Sequence, residues 1–167
     1  APLAEPFFGK TDKGTFVLAG GGKGSLSLAF SEPLPDNTEM IFHVNSMKSR
    51  PAGGWVAFFL NAGSADGKTR FGLTPRTEKQ TYVSASWPGT PFRVVRDNFD
   101  VEYPALYRIR RAGGKLTFLY GNYPVYSIDE KQHGKTDRIS LSISTEKPAA
   151  AGVLEIGKVE LRAVPGK

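Results

Sequence analysis

The stretch "YRIRRAGGKLTFLYGNYPVYSID", residues 107–129, decides the fold. On an extended chain successive side chains point to opposite faces, so Tyr107 and Ile109 share one side while Arg108 and Arg110 share the other. "AGG" at 112–114 supplies a turn tolerant of positive φ, after which Leu116, Phe118 and Tyr120 resume the apolar face. Gly121-Asn122 marks a second turn. Pro124 lacks the N–H that a ladder requires, so "YPVYSI" is expected at a sheet edge or beside a bulge. The stretch therefore predicts a meander of three antiparallel strands.

The same rhythm runs outward in both directions. Nineteen Gly and twelve Pro punctuate the 167 residues, and the intervals are rich in Val, Ile, Phe, Tyr and Thr. Short strands between regular turn signals are the pattern of an all-β, two-sheet antiparallel β-sandwich of the jelly-roll kind. Strands are predicted over 14–19, 24–30, 38–46, 54–61, 68–74, 80–86 and 91–95, then over 105–111, 114–120, 123–128, 137–144 and 152–164. No segment reads as an amphipathic helix. Leu26, Leu28 and Phe30 oppose Ser25, Ser27 and Ala29, and Ile139, Leu141 and Ile143 oppose Ser140, Ser142 and Ser144. The last strand changes hydrophobic parity near Gly157, which predicts a bulge there. Residues 1–12 read as an N-terminal extension and 13–167 as one sandwich domain, a length that buries a core without staples.

Composition narrows the function classes. With 40% hydrophobic and 23% charged residues the chain is of ordinary globular type. No run of about 18 apolar residues occurs, so no membrane-spanning helix is expected. The start "APLAEPFFGK", without Met, fits either a mature end left by signal-peptide cleavage or a chain boundary, and a secreted or periplasmic location is expected. The absence of Cys excludes disulfides, thiolate nucleophiles and zinc ribbons. A formal charge of +6 favours an anionic partner in general. The cations are dispersed, however, and the cluster Arg108, Arg110 and Arg111 divides between two faces, so no stripe for nucleic acid is expected.

The segment "LYRIRRAGGKLTFLYGNYPVYSID", with "DRISLSIS" and the closing "GVLEIGKVELRAV", resembles the C-terminal half of concanavalin A-like lectin/glucanase jelly rolls. The bacterial keto-disaccharide-hydrolase-like and laminin-G-like branches are the nearest in pattern. The likeness covers residues 103–164 and implies two curved sheets, often with glycans at the concave face or rim loops. A fold does not license a function, which has to be argued from a site.

Three readings of a site follow. In the glucanases that this sequence resembles, alternate carboxylates E-x-D-x-E point into the cleft; in "DNFDVEY", residues 97–103, Asn98, Asp100 and Glu102 occupy comparable alternation, with an amide at the nucleophile position. A neutral amide forms no glycosyl ester, so Asp100 and Glu102 remain as candidate acid/base groups, and a loop held by Asp97 and Asn98 is the alternative. Calcium is a possible cofactor if Asp97, Asp100 and Glu102 converge, since hard cations take several oxygens. His43 and His133 show no metal-ligand spacing, no G-x-S-x-G elbow occurs, and "AGGGKG" at 19–24 lacks phosphate-loop spacing.

The third reading is distributed. If Met40, Phe42 and Val44 face the core, His43 and Asn45 face away; by the same parity Trp55, Phe59, Arg70 and Tyr82 face away, with Arg93 following. Sugar rings stack on aromatic faces while their hydroxyls bond to guanidinium and amide groups. Trp55 and Phe59 equally suit a second packed layer, and Trp87 before Pro-Gly is either a lid over the sandwich end or a binding platform. The first expectation is a secreted module that binds an oligosaccharide or polysaccharide through Trp87, Tyr82, Arg70, Arg93, His43, Asn45 and Trp55. The alternatives are a glycoside-processing enzyme of the keto-disaccharide-hydrolase-like kind and a structural protein–protein module.

Overall fold

The structure, a computed structural model, describes residues 7–10, 16–21, 26–29, 34–50, 56–64, 67–75, 80–133, 139–145 and 151–164. Thirteen strands form among them. In chain order they are β1 (Phe7–Lys10), β2 (Phe16–Gly21), β3 (Leu26–Ala29), β4 (Thr38–Arg50), β5 (Val56–Ser64), β6 (Gly67–Pro75), β7 (Gln80–Trp87) and β8 (Thr90–Asp100). Then come β9 (Ala105–Ala112), β10 (Lys115–Tyr120), β11 (Tyr123–Asp129), the single helical turn α1 (Glu130–His133), β12 (Ile139–Thr145) and β13 (Ala151–Ala163). No helix among the described residues is long and apolar enough to cross a membrane.

The strands make two antiparallel sheets. One has seven strands in the order β1-β2-β13-β4-β9-β10-β11, the other six in the order β3-β12-β5-β6-β7-β8. The two last strands of the chain slot between early ones, β13 between β2 and β4 and β12 between β3 and β5, which closes a jelly-roll β-sandwich. Twelve strands answer the twelve expected runs. The thirteenth, β1, lies within the stretch read as an extension and pairs with β2 through Phe7↔Ala19 to Lys10↔Phe16.

The meander forms as its turns dictate. Gly113 and Gly114 take φ of 61° and 72° and Gly121 takes 58°, left-handed values that glycine adopts without a Cβ clash. Pro124 sits on β11, the outermost strand of its sheet, and the β10–β11 register shifts between Phe118 and Leu119. The β13–β4 register shifts on both sides of Ile156, so Gly157 is passed over as the chain goes from Ile156↔Val44 to Lys158↔His43. A Cβ on Gly157 would lie 3.0 Å from Asn45 Oδ1, so a larger residue in the bulge would have to displace the Asn45 side chain.

The core lies between the inner faces. Ile109, Leu116 and Phe118 of the seven-stranded sheet meet Phe71, Val83, Ile139 and Ile143 of the six-stranded one, all buried. Phe71 and Phe118 stack across the gap with centroids 5.5 Å apart, and Tyr107 stacks on Phe118 at 5.8 Å. The side of the sandwich where β8 faces β11 is closed by Trp87 on Tyr126 and Phe99 on Tyr123. A residual cavity of about 30 Å³ among Phe42, Val44, Met47, Phe58 and Leu73 is too small for a sugar.

The outer face of the seven-stranded sheet is sealed by ion pairs. Glu39, 2% exposed, accepts from Arg108 Nη1 and from Arg110 Nε at 2.9 Å each. Ile41 and Leu119 also point outward by parity yet are buried, because Arg108 lies opposite both in the register and its long stem covers apolar surface. Along the same face Glu160 takes Lys158 Nζ at 2.7 Å, His43 Nε2 at 3.0 Å and Arg162 Nη2 at 3.0 Å. Hydrogen bonds to Lys158 and His43 foremost, with Arg162 behind them, hold the Glu160 carboxyl down at about 2 from its ordinary 4.5. A depressed carboxyl contributes stability that is complete above its unfolded pKa and disappears as pH falls through the folded one. Urea unfolding should show wild type more stable than Glu160→Gln at pH 6, with the difference shrinking between pH 4.5 and 2; a difference unchanged at pH 2 contradicts this.

Candidate functional site

The outer face of the six-stranded sheet is built differently. Its central strands alternate strictly, so Phe58, Leu60, Phe71, Leu73, Val83 and Ala85 enter the core and their neighbours turn outward. The register aligns these outward residues in rows across the strands. One row runs Ser140↔Asn61↔Arg70↔Ser86 over β12, β5, β6 and β7. The next runs Ser142↔Phe59↔Gly72↔Ser84↔Val94 and reaches β8. Thr74↔Tyr82 follows, and Gln80↔Asp100 completes the face at the end of β8.

The rows support one another. A Cβ on residue 72 would stand 2.8 Å from Phe59 Cε1 and closer still to Ser84 Oγ, so Gly72 is what lets the Phe59 ring lie down on the sheet. The Arg70 guanidinium then stacks 5.5 Å from the centre of that ring. Asn61 Nδ2 donates to Ser142 Oγ at 3.1 Å and reaches Ser140 Oγ at 3.3 Å, which braces β5 against β12. Asn61 is 4% exposed, and its Oδ1 has no partner among the described residues. Phe59, Arg70, Tyr82, Ser86 and Ser140 are half-buried, while Phe92 and Val94 on β8 are exposed.

The residues expected to bind sugar do not come together as one surface. Arg70 and Tyr82 lie on this face. His43 and Asn45 belong to β4 and face outward from the other sheet, a full sandwich thickness away, where His43 meets Glu160 and Asn45 Nδ2 reaches Glu155 Oε1 at 3.4 Å. Trp87 is 9% exposed, with one neighbour in Tyr126 and the Arg93 guanidinium 5.9 Å from its ring centre. It closes the sandwich side. Arg93 pairs with core-facing Ala85 and reaches back over Trp87, away from the row that holds Arg70. Trp55 lies outside the described residues.

The carboxylate motif also differs from its loop reading. Residues 97–100 belong to β8, which runs to Asp100, and Asp100 lies opposite Gln80 with the parity of Tyr82. Glu102 follows past the strand end, exposed, its N–H donating to Tyr120 Oη at 3.1 Å. Neither Asp100 nor Glu102 makes an ion pair with another described residue. The calcium reading of Asp97, Asp100 and Glu102 is corrected: no three acidic or histidine groups among the described residues gather to hold a metal. An extended strand rises about 3.3 Å per residue, which spreads Asp97 and Asp100 too far for oxygens that must each approach an ion within about 2.3–2.6 Å.

Beyond Glu102 stands a group of tyrosines that sequence reading passed over. The Tyr103 hydroxyl donates to Met47 Sδ at 3.3 Å, and the Tyr107 hydroxyl lies 2.9 Å from Tyr103 Oη. Burial pushes the Tyr103 hydroxyl up to about 12 and raises that of Tyr107 further, so both stay protonated and serve as packing.

No protein-family model matches the chain, and no curated protein does. Solved structures do. A glycoside hydrolase family 16 endo-glucanase from Bacteroides ovatus is 14% identical, with 96% of this chain and 86% of that one covered at a TM-score of 0.58. The kappa-carrageenase from Pseudoalteromonas carrageenovora, solved with an oligotetrasaccharide of kappa-carrageenan, is 8% identical, with 92% and 81% covered at 0.63. An alginate lyase of polysaccharide lyase family 7 is 12% identical, with 93% and 82% covered at 0.62. The fold is thus that of the concanavalin A-like lectin/glucanase jelly rolls. The expectation of a module that only binds glycan is corrected by these likenesses, because the similar structures are glycoside hydrolases and polysaccharide lyases.

Proposed function

We propose that the chain is a glycan-processing enzyme whose substrate lies along the outer face of the six-stranded sheet. The observation that carries this reading is the Ser140–Asn61–Arg70–Ser86 row, which sets hydroxyl and guanidinium groups, braced from below by the Asn61 amide, beside the Phe59 ring on a sandwich shared with glycan-active enzymes. That combination suits a sugar, whose C–H faces pack on an aromatic ring while its hydroxyls take directed hydrogen bonds.

Asp100 and Glu102 supply the acid and base at the end of β8. Two residues apart, with Asp100 ending β8 and Glu102 just beyond it, their Cα atoms stand at most about 7 Å from each other. Glycosidases hold their two carboxyl groups about 5–9.5 Å apart, with the shorter separations for retention and the longer for inversion. One carboxyl protonates the leaving oxygen and the other either attacks the anomeric carbon or activates water. Polysaccharides do not cross a bilayer unaided, so this reading carries with it a secreted or periplasmic site of action.

Incubation with a panel of polysaccharides and disaccharides, followed by chromatography of the products, tests the assignment. Wild type should release shorter sugars, and Glu102→Gln should slow release at least about a hundredfold, as loss of a positioned acid or base does. Undiminished turnover in the variant removes Glu102 from the chemistry; no product from any glycan removes the function.

A further inference from the structure

The ion pairing of the arginines points to a substrate class. Arg108 and Arg110 are held by Glu39, Arg111 by Glu130 at 2.8 Å and Arg162 by Glu160. Arg93 and Arg96 on β8 lie over Trp87 and Tyr123 and are exposed; Arg70 is half-buried, lies over the Phe59 ring and makes no ion pair with a described residue. Its neighbours in the register are Asn61 and Ser86, and no carboxylate stands in that row or in the Phe59–Ser84 row. A partly desolvated guanidinium with no counter-charge among the described residues is costly, and its place over the ring leaves N–H donors unused.

We infer that Arg70 is the anchor for an oxyanion on the substrate, so that the enzyme acts on an acidic polysaccharide bearing uronate carboxylates or sulfate esters. The inference rests on the proposed function and specifies its substrate. A planar guanidinium takes either oxyanion through two parallel hydrogen bonds. The adjoining Asn61 is buried, with its Nδ2 engaged by Ser142 and Ser140, so the half-buried Ser86 and Ser140 are the polar groups that flank Arg70 within reach of a substrate. The overall charge of +6 draws polyanions towards the molecule and falls away with salt.

Calorimetric titration with three oligosaccharide sets distinguishes the sources: oligouronates, sulfated galactan oligosaccharides and neutral β-glucan oligosaccharides, each with wild type, Arg70→Lys and Arg70→Met. One of the two acidic sets should bind wild type at least tenfold tighter than the neutral set. The Arg70→Met protein should lose about ten- to a hundredfold for that set, the usual worth of a charged hydrogen bond, with little change for the neutral set. Arg70→Lys should recover part of the loss. Equal or tighter binding of the neutral glucan by wild type overturns the inference, as does unchanged binding of the acidic set by Arg70→Met. Cleavage of neutral glycans alone would end this inference while leaving the enzyme reading in place. Tight Arg70-dependent binding of an acidic set without cleavage of any glycan would do the reverse.

Discussion

Glu39→Ala should destabilise the protein by about 3–5 kcal/mol, the range for removing one partner of a buried ion pair. Glu39 receives both arginines, and Arg110 engages it through Nε and Nη2 at 2.9 Å each. Without the carboxylate two guanidinium groups remain beside Ile41 and Leu119. Arg108 is the costlier of the two, with a side chain only 15% exposed and an Nε that has no described partner. Arg110, at 31%, can partly rehydrate and holds the loss towards the lower end of the range. Urea unfolding at neutral pH measures this, with Glu39→Gln as the variant that keeps shape while discarding charge. A loss below about 1 kcal/mol for Glu39→Ala, the ordinary yield of an exposed pair, would show that water enters this face.

Phe118→Ala should cost about 3–5 kcal/mol, through lost burial and the cavity left behind. Phe118 is 1% exposed and carries the ring contact between the sheets, with Phe71 on one side and Tyr107 on the other. Each such aromatic pair adds about 0.5–1.5 kcal/mol beyond area. Phe118→Leu keeps most of the volume and should cost less than half as much as Phe118→Ala in the same unfolding measurement. Equal losses in the two variants would mean that ring stacking, and not filled volume, holds the sheets together.

Phe118 was legible in the sequence because the meander announces itself: strict alternation on either side of a Gly-Gly turn leaves one reading of which residues go inward. The bulge at Gly157 was legible for the same reason, since a parity change in one strand has few other causes. What alternation does not carry is which sheet a strand joins. Parity sends His43 and Arg70 alike away from the core, and only the pairing of β4 with β9 and β13, against that of β5 with β6, separates them. β1 gave no signal because "FFGK" is four residues long without alternation, and its pairing comes wholly from β2.

The polar "RDNFD" at 96–100 resembles a loop because an outermost strand with one free side does not need apolar residues at alternate positions. Burial of Glu39 was equally hidden. Its partners lie about seventy residues away in sequence, and nothing local in "DNTEM" distinguishes it from a surface acid. Arg70 was singled out by its type and parity, but its stacked setting depends on Gly72, whose missing side chain gives the Phe59 ring its place. For Trp87 the turn position left lid and platform equally open, and its stack on Tyr126 places it in the packed side of the sandwich.

A crystal structure with an oligosaccharide product bound would show whether glycan is processed on the outer face of the six-stranded sheet. Sugar density is expected across Ser140, Arg70 and Ser86 with one end at Asp100 and Glu102. Density instead on the other sheet, around His43 and Glu160, or a product lying clear of both carboxylates, would contradict it.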